Sequence, residues 1–258
     1  MPRPRRSKSI ICAAVLLCLT VFAIYKTTSV VLRRHAFRQL AAAIERNDVA
    51  QLEELLNSGL DVNARSTEGL SPLHLSRSAR IAQLLIKRGA LVNAQTDAGN
   101  TPLHLAACLE RADVVSIFLK CGADVNAMNA AEETPLHMLC SDLLILRSAP
   151  ELFDGGYFRG ERTGNQPEQT ITLMLLLDNG GNIETRNESG RTPAYIAAMT
   201  PPRLELLDVL IRHGAATNIS DSCGRPFLGD EYSAAEADVV QLVRTKTSQA
   251  KPVTVPNR

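Results

Sequence analysis

Residues 101–126, TPLHLAACLERADVVSIFLKCGADVN, contain the pattern on which the fold of this chain depends. Thr101 can cap a helix with its hydroxyl, and Pro102 loses no hydrogen bond at the first helical position. From Val114 onward, apolar residues recur at helical spacing, which is typical of one buried stripe on a second helix. Gly122 then ends this helix, because glycine adopts the left-handed conformation at little cost. The stretch therefore predicts two short helices followed by a turn.

The same pattern recurs along most of the chain. Its S/T-P-L-H start, or the variant T-P-A-Y, lies at Ser71, Thr101, Thr134 and Thr192, and a decayed copy, R-P-F-L, begins at Arg225. The period is about 33 residues, apart from one shortened and one lengthened step. Gly and a D-V-N-A-like stretch follow each second helix. No unit of this size can bury its own apolar face, so the pattern predicts units stacked into one elongated core.

These spaced motifs resemble ankyrin repeats over roughly residues 37–244. The resemblance implies an all-α solenoid of helix-turn-helix units with hairpin-like turns. It also implies a structural hydrogen bond for each motif histidine near the start of its helix. The residues expected to maintain the repeat structure are Ser71, His74, Thr101, His104, Thr134, His137 and Thr192.

The spacing divides this region into five units, numbered here in chain order. An N-terminal capping repeat, 36–69, is unit 1, and it is followed by unit 2 (70–99), unit 3 (100–132), unit 4 (133–190) and unit 5 (191–223). A C-terminal capping repeat is predicted at 224–246, and the polar segment 247–258 is expected to be disordered. Unit 4 is long because of an insertion of about 25 residues, predicted within 141–169. Unit 2 is short because little chain connects its two helices.

The amino-terminal segment combines a basic tail, 1–9, with an apolar run. Ile10 to Tyr25 is sixteen residues without a charge, about 24 Å of helix. If Lys26 extends its amine to the interface, a helix over 10–32 reaches the roughly 30 Å of a bilayer core. We therefore expect a single N-terminal transmembrane helix that acts as an uncleaved signal anchor. A cleaved signal peptide and a simple hydrophobic tail are the alternatives.

The membrane orientation follows from the basic residues around this run. Four cations precede it and four follow it closely, so the positive-inside count is nearly balanced. The compact cluster Arg5, Arg6 and Lys8 beside the run favours a cytoplasmic amino terminus. The expected localisation is thus a single-pass membrane protein whose repeats lie on the extracytoplasmic side.

The distribution of charge argues against nucleic acid as a partner. The chain has 28 Lys and Arg and 27 Asp and Glu. Eight of the cations, and none of the acids, lie in residues 1–40. The body that follows is therefore acidic, and an acidic surface repels phosphate.

Histidine and cysteine recur together in units 3 and 4, as His104 with Cys108 and His137 with Cys140. Two His and two Cys could bind a metal, and a Cys–His pair could act in catalysis. However, the histidines belong to the repeat motif, and stacked helices lie about 8 to 10 Å apart, a poor arrangement for one tetrahedral ion. We expect no metal, no cofactor and no enzyme activity, with a metal-binding or Cys–His enzyme as the less favoured alternative.

Side chains at the turns between units are free to vary without affecting the core. The residues expected to contact a partner at these turns are Arg65, Thr67, Gln95, Asp97, Met128, Asn129, Arg186 and Glu188. The insertion adds Tyr157, Phe158 and Arg159, since aromatic and arginine side chains on exposed loops often contact partners. A loop that is merely tolerated in solvent is the alternative for the insertion.

Taken as a whole, the sequence favours a membrane-tethered module that binds one or more proteins. A membrane-held inhibitor or immunity-type protein that blocks one neighbouring enzyme is the alternative. Sequence patterns do not separate these two, because both depend on the same recognition surface.

Overall fold

The computed structural model describes residues 34–141, 166–199, 203–217 and 220–226, and these form paired helices joined by turns. The helices are α1 (34–45), α2 (Val49–Asn57), a 3-10 helix (Pro72–Leu75), α3 (Ala79–Lys87), α4 (Pro102–Cys108), α5 (Ala112–Lys120), α6 (Pro135–Cys140), α7 (Gln166–Asp178), α8 (Pro193–Met199) and α9 (Leu204–Arg212). Within these ranges the extended pairing is one isolated antiparallel bridge, between Ser220 and Pro226.

The helices form two layers. The 3-10 helix, α4, α6 and α8, which are the first helices of units 2 to 5, contact one another in that order. The second helices form the other layer, in the order α2, α3, α5, α7 and α9. Between the layers lies one apolar core, in which Leu103, Phe118 and Leu136 are at most 1% exposed. The predicted stacking of short helical units is confirmed.

Each second helix of units 2 to 5 ends as the sequence predicts. Gly122, for example, has φ +83° and follows α5 directly after its capping residue Cys121. The amide of Ala123 then donates to the carbonyl of Phe118 at 2.9 Å. This bond satisfies a carbonyl that the last turn of the helix leaves without an intrahelical partner.

Unit 2 is shortened between its helices, where the sequence places the deletion. Its first helix is only the 3-10 helix, and residues 76–78 connect it to α3. Unit 3 has a full α4 and a longer corner, in which Glu110 adopts a positive φ of 59°. The shortened connection therefore leaves backbone groups near Arg77 that neighbouring units must satisfy.

Two boundaries differ from the sequence prediction. Helix α7 begins at Gln166, so the last four residues of the predicted insertion, 141–169, are helical. The final copy is also shifted by one residue. The amide of Asp221 donates to the carbonyl of Arg225, the bond that Asn187 makes to Arg191, so Arg225 is equivalent to the residue before the Thr of the motif. The extra residue lies between α8 and α9, where the motif itself gives no signal.

The predicted membrane anchor, 10–32, lies outside the described residues, as do most of the C-terminal capping repeat and the tail 247–258. Among the helices that the structure describes, none has the length and apolar character needed to cross a bilayer.

Candidate functional site

The turns between units form one continuous row, called here the tip edge: residues 65–69, 95–99, 128–132, 186–190 and 220–224. A backbone hydrogen bond joins each turn to the next. The donors and acceptors are Asp97 to Glu68 (3.0 Å), Ala130 to Ala98 (2.9 Å), Glu188 to Ala131 (3.1 Å) and Ser222 to Ser189 (2.9 Å). The tip edge is therefore a surface whose backbone is held in register along the stack.

Glycine permits this close approach of successive turns. Gly99 has φ +77°, and a Cβ at this position would lie 2.9 Å from the amide nitrogen of Ala130. Ala130 is the residue whose amide bonds to the preceding turn. A side chain at position 99 would thus disturb both the turn and the junction between units 3 and 4.

Four of the predicted contact residues are the first residues of successive turns of the tip edge: Arg65, Gln95, Met128 and Arg186. All four are exposed, and Met128 is an apolar side chain with 49% of its surface accessible. Two of them also join units, because Arg65 donates to the carbonyl of Gln95 at 2.9 Å and Arg186 donates to that of Ser220 at 3.0 Å. No hydrogen bond of the Gln95 side chain to any other described residue is seen.

A second set lies two residues further along each turn. Thr67, Asp97 and Glu188 are exposed there, and the hydroxyl of Thr67 donates to the carboxylate of Glu68. Asn129 differs from this set. It is half-buried, and its side-chain oxygen accepts the amides of Ala131 and Glu133, both at 2.9 Å.

Asn129 therefore maintains its own turn, and Ala130 takes the exposed place that the sequence analysis assigned to Asn129. The physical reason is that an Asn side chain readily replaces a backbone acceptor in a turn. Tyr157, Phe158 and Arg159 of the insertion lie outside the described residues.

The motif histidines join the turns to the first helices. In unit 3 the amide and hydroxyl of Thr101 both donate to Nδ1 of His104, at 3.1 and 2.8 Å. Because Nδ1 accepts from an amide, the ring proton lies on Nε2, which donates to the carbonyl of Glu133 in unit 4 at 2.9 Å. His74 and His137 repeat these contacts, with the carbonyls of Asn100 and Arg191 as acceptors.

In unit 5 tyrosine replaces the histidine. The hydroxyl of Tyr195 donates to the carbonyl of Arg225 at 3.3 Å, which preserves the bond to the next turn. The hydroxyl of Thr192 accepts the amide of Tyr195 at 3.3 Å. The motif histidines thus make hydrogen bonds of the kind that the resemblance implies, and Tyr195 makes the equivalent bond to the next turn.

Burial keeps these histidines neutral. It lowers the pKa of His74, His104 and His137 from 6.5 to about 4, and the backbone carbonyls that accept from the rings oppose the shift only in part. A ring whose Nδ1 lone pair already accepts two bonds, and whose Nε2 donates, has no lone pair for a metal. In the described part of the chain, no three His, Cys, Asp or Glu side chains lie together as a metal site requires. Cys108 and Cys140 are buried.

A second series of hydrogen bonds between units, which the sequence did not predict, joins the ends of the second helices. Asn93 of the V-N-A motif in unit 2 donates to the carbonyl of Gly122 at 3.0 Å and accepts the amide of Asp124 at 3.0 Å. Asn63 and Asn126 bind the following unit in the same way. The recurrence of Asn in this motif was the available signal.

Comparison with family models matches residues 40–129 to the family described as ankyrin repeats (3 copies). The comparison with curated proteins finds no match to this chain. The match ends within unit 3, but the bond from the His137 ring to the next turn, and that from Tyr195, continue the pattern beyond it. Residues 40–129 are therefore similar to ankyrin repeats, and the backbone hydrogen bonds between tips continue beyond them, from Glu188 to Ala131 and from Ser222 to Ser189.

Proposed function

We propose that this chain is a non-catalytic, protein-binding module whose recognition surface is the tip edge. The observation that carries the proposal is the pair Gln95 and Met128 at adjacent, equivalent tips. Both side chains are exposed, and their backbones are held in register by hydrogen bonds between the turns. A preformed backbone lowers the entropy cost of binding. An exposed methionine between polar side chains provides an adaptable apolar contact.

The proposal predicts that replacing these two side chains weakens partner binding without unfolding the chain. In a variant with Gln95→Ala and Met128→Glu, a charge is placed where the partner contacts methionine. We expect affinity for a protein captured by the intact chain to fall by about tenfold or more. The measurement is the dissociation constant of the purified partner by calorimetry, with circular dichroism as the check on folding.

A matched control changes exposed side chains on the outer helices. Gln83→Ala with Lys120→Ala alters exposed side chains of α3 and α5 that are not part of the tip edge. This control is expected to bind as tightly as the unaltered chain. If it loses as much affinity as the tip variant, or if the tip variant binds normally, the tip edge is not the recognition surface.

The identity of the captured protein also separates two forms of the proposal. One enzyme, bound in equal stoichiometry and inactive in the complex, supports the inhibitor or immunity-type role. Several partners bound through the same tips support a scaffold.

We further propose that residues 10–32 anchor the module in a membrane, with the repeats on the extracytoplasmic side. The support is the uncharged run from Ile10 to Tyr25 and the basic cluster that precedes it. Leu17→Arg places a charge near the centre of this run, at a cost of about 2.5 to 3.5 kcal/mol of insertion free energy. We expect this variant to leave the carbonate-resistant membrane fraction, while Leu17→Val remains in it.

Two outcomes would contradict the proposed anchor. If the chain recovered from cells has lost its amino-terminal residues through the apolar run 10–25, the segment is a cleaved signal peptide. If Leu17→Arg and Leu17→Val fractionate alike, the run does not hold the chain in the membrane. Protease added to intact cells reports the side on which the repeats lie.

A further inference from the structure

The corner of unit 3, defined here as residues 109–113 and including the first two residues of α5, contacts both the shortened unit 2 and the lengthened unit 4. It lies at the opposite end of the helices from the tip edge, because each first helix begins next to a tip and ends at a corner. Glu110, in the left-handed conformation, is fully buried here. On one side the corner faces the shortened unit 2, and on the other side it faces unit 4.

Towards unit 2, the corner forms hydrogen bonds with a backbone carbonyl of the shortened connection and with the first backbone amide of α3. A guanidinium nitrogen of Arg111 donates to the carbonyl of Arg77 at 2.7 Å. The carboxylate of Asp113 accepts the amide of Ala79, the first residue of α3, at 3.1 Å. These are contacts between adjacent units, as expected in a solenoid.

In the other direction the corner reaches further. The carboxylate of Glu110 accepts the side-chain amide of Gln169, in α7 of unit 4, at 3.0 Å. It also forms an ion pair at 3.4 Å with Arg203, the N-cap of α9 in unit 5. The same guanidinium nitrogen of Arg203 donates to the carbonyl of Leu139, at the end of α6, at 2.8 Å.

The pair therefore joins units that are not neighbours. Glu110 belongs to unit 3 and Arg203 to unit 5, whereas units of a solenoid normally contact only the units next to them. The two side chains are 0% and 13% exposed, so solvent screens their interaction little. Both members of the pair also form hydrogen bonds with unit 4. Arg203 bonds Leu139 in α6, and Glu110 bonds Gln169 in α7, which are the helices on either side of the insertion.

We propose that the Glu110–Arg203 pair couples the folding of unit 5 to that of unit 3, so that units 3 to 5 open as one cooperative block. Without such a link, a unit near the end of a solenoid opens more readily than its interior neighbours, because it is stabilised from fewer sides. The link acts directly on α9, since Arg203 is its N-cap. This coupling is a property of the chain alone and needs no partner.

The test is hydrogen exchange of backbone amides in the full chain, followed by mass spectrometry. In Glu110→Gln the carboxylate charge is lost while the side-chain volume is kept. We expect exchange in α9 (Leu204–Arg212) to become at least about tenfold faster, with exchange in α2 (Val49–Asn57) unchanged. Unaltered α9 exchange in this variant would overturn the proposal.

An exposed ion pair between adjacent units is the matched control. Arg88 and Glu53 lie 2.7 Å apart, with side chains 30% and 52% exposed. Glu53→Gln is expected to change exchange in α9 by less than about twofold, because exposed pairs contribute little. A comparable acceleration of α9 in this control would show that the effect on unit 5 is not specific to Glu110.

Two further variants test whether Glu110 and Arg203 act through the same interaction. Glu110→Gln combined with Arg203→Gln is expected to accelerate α9 by less than the product of the single effects, because both changes remove one interaction. Fully multiplicative effects would contradict the coupling.

If Glu110→Gln does not fold, the test uses Arg203→Lys instead, which keeps the charge but loses the second donor group of the guanidinium. Selective acceleration of α9 in that variant supports the coupling, and wild-type exchange overturns it.

Discussion

At the scale of single residues, the motif histidines act as neutral connectors between units. Each ring accepts at Nδ1 within its own helix start and donates from Nε2 to the next unit, an arrangement that only the neutral ring can make. Protonation adds a second ring proton, which opposes the amide that donates to Nδ1. The charge would also be buried, which is why the pKa of His104 falls to about 4.

The repeat stack is therefore expected to lose stability between pH 6.5 and about 4. In this range the unfolded chain binds protons at these histidines and the folded chain does not, so the free energy of unfolding falls as the pH falls. The loss reaches roughly 3 kcal/mol for each histidine at the lower end. Urea denaturation at several pH values measures it, and His104→Gln is expected to reduce the slope.

A control for this prediction comes from unit 5. Tyr195→Phe removes the bond to the carbonyl of Arg225 without removing a histidine. It should lower the free energy of unfolding by about 1 kcal/mol at every pH in this range, because a phenol is neutral throughout. A pH dependence that is the same in His104→Gln and in the unaltered chain would contradict the role assigned to the histidines.

At the scale of elements, the junctions between second helices depend on one side chain per unit. Asn93 has both a donor and an acceptor, and it bonds both the carbonyl and the amide that the next unit presents. In unit 4 this position is Glu184, whose carboxylate accepts the amide of Ala216 at 2.7 Å. An ionised carboxylate has no donor, so it cannot also bond the carbonyl of Gly214.

Glu184→Asn is therefore expected to stabilise the junction between units 4 and 5. The amide group regains the donor, and the gain is about 0.5 to 1.5 kcal/mol in the free energy of unfolding. The matched reverse change is Asn93→Asp, which removes the donor at an intact junction and should destabilise by about the same amount. Thermal and urea unfolding of both variants measure the effect. Destabilisation by Glu184→Asn would mean that the charge, and not the missing donor, governs this junction.

At the scale of the whole molecule, the two ends of the helices serve different purposes. At the tip edge, backbone hydrogen bonds hold exposed side chains such as Gln95 and Met128 in a row for recognition. At the opposite end, the buried Glu110 of unit 3 bonds Gln169 in the lengthened unit 4 and Arg203 in unit 5. A substitution at the corner is therefore expected to act on the cooperativity of the stack, and one at the tips on binding.

The positions of the first four tips could be predicted from the sequence, because each of them lies at the same distance along the chain before the S/T-P motif that follows it. Arg65, Gln95, Met128 and Arg186 lie at equivalent, exposed positions as expected. Asn129 does not, since its side chain completes the turn from within. Alignment on the proline of the motif does not predict the shift at Arg225, because the extra residue lies between α8 and α9.

The sequence by itself determined the units, their helices and the glycines that end them, because capping, periodicity and turn formation depend on residues close together in the chain. Only the tertiary structure decided what each unit does for the next: which carbonyl His104 bonds, which groups Asn93 joins, and that Glu110 reaches Arg203 across an entire unit. Those contacts depend on the distance and rotation between stacked units. That geometry arises from packing of the whole core and is not encoded in any one motif.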